Sequence, residues 1–316
     1  MSDNEPGKPR VVVLLAARNG APWIAEQIRS ILNQLSVDVN IFVADDKSTD
    51  GTAEIIAMYF GADARVTLLR RNVPSGSAGR NFIGLCCEVD FSAFDYVAFA
   101  DQDDVWNSDK LIRAISCITS STADAYSASV QAVWPSLEKK ILVQNPHQRS
   151  ADHLFEGGGQ GCTFVMRVGF LQLVQDFLRL HRDAVGGFHY HDWLIYLLAR
   201  AWNKRWYFDC LPCMEYRQHP KNEIGALAGR KAVMRRIGLM RGGWYRQQIV
   251  AAAHFYTLAG GHNVECLAGI FTFLTPAPDA TLRCQRMAFA FWLLRNGRRR
   301  TGDRIILALA ALVGWI

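Results

Sequence analysis

Apolar and polar positions alternate in blocks along the first hundred residues. Residues 11–16 form an uninterrupted apolar run, followed by the polar Arg18-Asn19-Gly20 and then by apolar positions at helical spacing over residues 22–35. Pro22 suits the first turn of that helix, where a missing N–H costs nothing. The unit repeats: residues 40–44 read as a strand, 45–52 as a polar loop and 53–60 as a helix, then 66–69 as a strand and 78–87 as a helix. Such repetition predicts an α/β chain whose parallel strands are covered by helices. A fourth strand at 96–100 runs directly into Asp101-Gln102-Asp103-Asp104, and a further helix starts near Ser108.

After residue 122 the segments become shorter and mixed. Residues 123–134 and 139–143 look like paired strands extending the sheet, and the glycines at 157, 158, 159 and 161 break the chain. A strand at 162–166, a helix at 168–180 and a second helix at 192–202 follow, and everything after Gly225 reads as helices joined by Gly and Pro. The expected organisation is a catalytic domain over residues 1–225 and a basic, amphipathic helical extension over 226–316.

Three carboxylates at the end of an apolar strand suit a hard divalent cation, Mg²⁺ or Mn²⁺, because such ions take oxygen ligands and keep positions open for a diphosphate. In open α/β sheets, ligands bind at that end of the strands. Asp45 with Asp46, the acids at 101, 103 and 104, and Asp192 form three separated clusters. Glycosyl transfer uses all three kinds of acid: one for the nucleobase, one group for a metal on the diphosphate, one to take a proton from the acceptor. Read singly, the acid run at 101–104 also suits a solvated turn capping the helix that starts near Ser108, Asp46 a helix cap and Asp192 a first-turn acid.

VVVLLAARNGAPWIAEQIRSIL, VADDKSTDGT, SGSAGRNF and ADQDDVW with Lys110-Leu111 together resemble glycosyltransferase family 2, and within it the bacterial rhamnosyltransferase-like group, over about residues 10–225. The resemblance implies a GT-A fold, a Rossmann-like mixed sheet flanked by helices, and an inverting mechanism. It implies that Ala16, Arg18, Asn19, Asp46, Arg80 and Asp103 hold the nucleotide, with Asp46 on the base. Asp103, Asp104 and His219 would hold the metal, Asp101 opening the motif. Gly161, Cys162, Thr163 and Trp193 fall on the acceptor side, and Asp192 of His191-Asp192-Trp193 matches the catalytic base. Tyr216-Arg217-Gln218-His219 with Asn222 resembles the group's tail motif. The chain departs from the pattern at Lys47, where Gly is common, and at Pro220-Lys221. The donor implied is dTDP-L-rhamnose and the acceptor a glycan or glycolipid such as lipopolysaccharide. A UDP-hexose donor, or a noncatalytic nucleotide-sugar or membrane-binding scaffold, are the alternatives.

Composition narrows the setting. The 316 residues are 50% apolar, enough for a large core, and carry 35 Lys and Arg against 29 Asp and Glu. Arg230, Lys231, Arg235, Arg236, Arg241 and Arg246 are unopposed by any acid between them, and Arg295, Arg298, Arg299 and Arg300 repeat the theme. Basic residues interleaved with apolar ones suit either an anionic membrane surface or a solvated helical face. No nucleic-acid module accompanies the charge. Nor does a glycine-rich basic loop follow the first strand to hold a nucleoside triphosphate, which disfavours a nucleotidyltransferase. Eight cysteines without a disulfide framework, no export signal and a last apolar run too short to span a bilayer predict a cytoplasmic, membrane-peripheral protein.

Overall fold

The computed structural model describes residues 7–144, 146–182, 188–220, 222, 234, 237–261 and 279–316. Backbone proximity divides the chain into two units. One comprises Met1–Gln144, Gly159–Gly186 and Lys204–Lys221, and the other Asn145–Gly158, Gly187–Asn203 and Asn222–Ile316. Two internal segments therefore belong with the C-terminal helices, where composition alone suggests a single cut after residue 225.

The first unit is built on β1 (Arg10–Ala17), in which Val11 to Leu15 are wholly buried. Burial on both faces explains why its sequence is continuously apolar rather than alternating. α1 (Ile24–Leu32) places Ile24, Ile28 and Ile31 on one face against this core, each worth roughly 1.5–3 kcal/mol. β2 (Asp38–Asp45), α2 (Thr52–Phe60), β3 (Val66–Arg70), α3 (Ala78–Glu88) and β4 (Tyr96–Asp101) follow. The parallel order is β3-β2-β1-β4. The chain moves outward from β1 to β3 and then returns to the other side of β1, which creates a topological switch point between β1 and β4. The general rule puts ligands at the carboxyl ends of those two strands. There Ala16 lies opposite Asp101 on one side, and Ala17 opposite Asp45 on the other.

Beyond β4 the sheet is mixed, as the family resemblance implies and as the strand-helix repeat alone does not. β5 (Val105–Trp106), α4 (Lys110–Ser120), β6 (Ala125–Val133), β7 (Lys139–Leu142), β8 (Val165–Arg167), α5 (Val168–Leu180) and β9 (Trp206–Arg217) complete the unit. β8 is antiparallel to both β4 and β6, β7 is antiparallel to β6, β9 is parallel to β6, and β5 closes against β9. The strand expected at 162–166 is instead a single helical turn, Gly161–Thr163, followed by β8. β9 is absent from the sequence expectation because Pro212 and the cysteines interrupt its alternation. Pro212 sits where the β6–β9 register shifts, one of the few places a sheet accepts proline.

The second unit contains a short turn at Asp152–Leu154, α6 (His191–Ala201), α7 (Trp244–Leu258), α8 (Asp279–Asn296) and α9 (Thr301–Leu312). Arg230, Lys231, Arg235 and Arg236 lie outside the described residues. Arg298 and Arg299 do not join a lipid-facing basic surface: Arg299 is buried, and both pair with Glu156, Arg298 through Nε at 3.3 Å. Among the described residues, no helix is long and apolar enough to cross a membrane.

Candidate active site

The loops leaving β1, β2 and β4 are tied to one another by side chains. Asp46, 2% exposed, accepts hydrogen bonds from the Ser75 backbone N–H at 2.6 Å and the Ser75 hydroxyl at 2.9 Å, and the Arg18 guanidinium lies 3.6 Å from it. Its carboxylate is thus oriented before any ligand arrives. The Gln102 amide accepts from Arg18 N–H at 2.7 Å and donates to Arg18 C=O at 2.9 Å, joining the β1 and β4 exits as a strand pair would. Gly20 permits this approach, since a Cβ there would stand 2.3 Å from Gln102 Oε1. Asn19, at φ +52°, accepts from Thr49 N–H at 2.9 Å. Lys47 also has positive φ, +58°, which is the physical reason glycine is common at this position of the motif. Arg80 lies in the first turn of α3, its N–H donating to the capping hydroxyl of Ser77 at 3.2 Å, with its side chain exposed.

The acid run itself splits into two groups. Asp103 accepts or shares a proton with His219 Nε2 at 2.8 Å, and the His219 ring stacks on Trp23 with centroids 4.0 Å apart. Asp104 is fully buried: Oδ1 accepts from Arg217 N–H at 3.3 Å, and Oδ2 has no hydrogen-bond partner among the described residues. Burial, together with the charges of Asp103 and Asp101, pushes the Asp104 carboxyl well above its ordinary value. Ligand atoms of Asp101, Asp104 and Cys162 lie within 4.8 Å of one another. Lys110, also fully buried, donates to Cys162 C=O at 2.7 Å and sits 3.2 Å from the Trp106 ring centroid. Burial pushes this ammonium down to about 8.

This donor set fits a divalent cation. An orphaned buried carboxylate oxygen is costly on its own, and mutually repelling acids at one spot call for a compensating positive charge. Burial and the nearby Asp104 and Asp101 hold the Cys162 thiol well above its ordinary value, so it stays protonated and the carboxylates are the hard ligands. The grouping differs from the expected trio of Asp103, Asp104 and His219. Asp101 is the residue that clusters with Asp104, and Asp103 is bonded to His219.

The residues expected at the acceptor are largely enclosed. The Thr163 hydroxyl donates to Gln160 C=O at 2.7 Å and accepts from Ala128 N–H at 3.2 Å, while Gly161 and Cys162 are buried beside it. Trp193, 4% exposed, donates its indole N–H to His153 C=O at 2.7 Å and meets Phe188 edge-on, which gives it a packing role in the helical unit. Trp106 is likewise buried, with Lys110 over its ring, and is not available to stack on a sugar. Asp192 is in the first turn of α6, part-buried, and accepts from Trp193 N–H at 2.8 Å. Sequence reading did not assign roles to Gln102, Ser75 or Trp23. All three lie inside the recognised motifs, but nothing local to Trp23 signals that His219 will stack on it.

The family model for glycosyl transferase family 2 matches residues 12–178. A dTDP-rhamnosyl transferase of Shigella flexneri, RfbG, is 35% identical over 300 residues, covering 95% of this chain and 99% of its own length. Among solved structures, S. aureus TarS 1-349 aligns over 97% of this chain and 91% of its own with a TM-score of 0.57 at 14% identity. A mannosyltransferase from Pyrobaculum calidifontis, solved with GDP-Man and Mn²⁺, aligns over 97% and 86% with a TM-score of 0.52 at 17% identity. The fold is thus that of GT-A glycosyltransferases, in which divalent metals are commonly used. With most of β1, the Asp46 loop and the acid run inside the matched span, and the likeness to RfbG covering 95% of the chain, the chain belongs to glycosyl transferase family 2 and is a glycosyltransferase.

Proposed function

We propose that this enzyme transfers L-rhamnose from dTDP-L-rhamnose, with inversion at the anomeric carbon, to a hydroxyl of a bacterial surface glycan or glycolipid such as lipopolysaccharide. The observation that carries the reading is the near full-length likeness to a dTDP-rhamnosyl transferase, which extends well past the family-matched residues. In this reading Asp46 accepts from the N3–H of the base, a donor that thymine and uracil share. Ala16, Arg18, Asn19, Arg80 and Asp103 hold the rest of the nucleotide. Asp104 and Asp101, with Asp103 and His219 beside them, hold Mg²⁺ or Mn²⁺. When bound, the metal supplies positive charge to the departing diphosphate. Asp192 takes the proton from the acceptor hydroxyl as its oxygen attacks the anomeric carbon and dTDP leaves. One base suffices, since no covalent intermediate forms. Gly161, Cys162 and Thr163 shape the acceptor side through their backbone, and Trp193 packs within the helical unit beside Asp192.

The test is a donor panel. Purified protein with Mg²⁺ or Mn²⁺ and a lipid-linked glycan extract should release dTDP from dTDP-L-rhamnose with kcat/KM at least about 100-fold above that for UDP-hexoses, a ratio within reach of one pocket. A preference for a UDP-hexose overturns the donor. No turnover of any nucleotide sugar supports the scaffold alternative.

The enzyme works, in the same reading, at the inner face of the cytoplasmic membrane. Met287, Phe291 and Leu294 on α8 and Ile305, Leu309 and Leu312 on α9 recur at helical spacing and are exposed, and the Arg295 guanidinium lies 4.7 Å over the Phe291 ring. Apolar stripes edged by cations suit an anionic bilayer surface. Flotation with phosphatidylglycerol-containing vesicles, weakened by salt, is the expected result, and its absence removes the membrane from the reading.

A further inference from the structure

We infer that Arg299 is a positioning residue for Asp192, holding the helix that carries it through the segment 152–157. The inference rests on the reading of Asp192 as the catalytic base. All the residues involved belong to the helical unit.

The Arg299 guanidinium donates to Gly157 C=O at 2.8 Å and lies 3.4 Å from Asp152 Oδ2, and its backbone N–H donates to Glu156 Oε1 at 2.5 Å. Asp152 is fully buried and is the hub between this arginine and α6: its two oxygens accept from Tyr196 O–H at 2.9 Å and from Arg200 Nη1 at 2.5 Å. Tyr196 is one turn after Asp192, so the two side chains share a face of α6 and the grip on Tyr196 sets the rotation of that face. A second contact reaches the base more directly. A Cβ on Gly157 would meet Trp193 Cα at 3.1 Å and N at 3.2 Å, so the backbone that Arg299 anchors lies against the residue following Asp192. The Trp193 indole bond to His153 C=O closes the same bracket.

A planar fork with several donors can serve Gly157 and the two acids together, whereas an ammonium cannot. Misplacement of a catalytic group by about 1 Å can cost on the order of 10²-fold in rate. Arg299→Lys, which keeps the charge, and Gly157→Ala, which presses on the Trp193 backbone, should therefore each lower kcat at least about tenfold. KM for dTDP-L-rhamnose should stay within about twofold, and the acid limb of the kcat–pH profile should move, because the surroundings of the base change. A kcat loss that merely tracks the folded fraction, with the acid limb in place, overturns the inference, as does unchanged kcat in both variants. If Arg299→Lys does not fold, Gly157→Ala decides by the same criteria. Asp192→Asn is run in parallel: retained turnover there refutes the base assignment itself and the inference with it. Lost turnover there with normal kcat in the other two refutes the positioning role alone.

Discussion

Asp192→Asn should lower kcat by about 10³-fold while leaving the affinity for dTDP-L-rhamnose unchanged, within the range that general-base catalysis contributes. The substitution is isosteric, and an amide oxygen can still accept the hydrogen bond from Trp193 N–H that Asp192 Oδ1 accepts. What it removes is the ability to take a proton. The competing role for this residue is that of a first-turn acid favoured by the helix dipole, worth about 0.3–1 kcal/mol. That role predicts the opposite pattern: a small fall in Tm with turnover intact. Steady-state turnover, calorimetric titration with the donor and a thermal melt on the same protein separate the two.

Asp104→Asn should lower kcat/KM by about 10³-fold, through loss of a metal ligand at the diphosphate, and should abolish stabilisation of the protein by Mn²⁺. In the unsubstituted enzyme, Mn²⁺ at 100 times its Kd should stabilise the fold by about 2.7 kcal/mol. The pH dependence has a definite sign. The folded-state Asp104 carboxyl is raised, first by burial and then by Asp103 and Asp101, so in metal-free protein its contribution to stability is full below its unfolded pKa. That contribution is lost as pH rises through the folded value. Metal competes with the proton for the same oxygens, and the Mn²⁺-induced rise in Tm should therefore grow from pH 5.5 to pH 8. In Asp104→Asn both the rise and its pH dependence should vanish, and Lys110, having lost a nearby negative charge, should titrate still lower than about 8. A persistent Mn²⁺ shift in this variant would move the metal away from Asp104.

Much of the donor side was legible before any coordinates. Strands β1, β2 and β4 show as apolar runs because each is a short, largely buried segment whose signal is local, and the acids follow directly at the carboxyl ends of β2 and β4. The motif around Lys47 even carries its own structural note, since a residue where glycine is usual turns out to have positive φ. The pairings were not legible in local periodicity; only the family resemblance placed His219 with Asp103 and Asp104. Asp103 meets His219 across 116 positions, and Asp104 accepts from Arg217 across 113. Nothing in local periodicity says which acid takes which partner.

The basic C-terminal arginines make the same point from the other side. As sequence, Arg298-Arg299-Arg300 reads like a surface run, because a charge carries no mark of the partner it will find. In the fold, Arg299 is buried against Asp152 and Glu156, 147 and 143 positions away. Lys110 likewise looks like an ordinary helix-start cation, yet it is enclosed between Trp106 and Cys162, near the acid cluster. β9 escaped notice because Pro212 breaks its alternation, and only pairing with β6 and β5 defines it as a strand.

The first four strands with their loops and helices, the family, and the identity of the acids at the strand ends were determined by the chain itself, because hydrophobic period and motif spacing are properties of neighbours along it. Which acid keeps an unpaired buried oxygen, which cation lies near it, and what holds the helix bearing Asp192 were decided only by tertiary structure. Burial and charge pairing depend on residues that neighbours along the chain do not specify, many of them tens to more than a hundred positions apart, and their energies exist only once those residues meet.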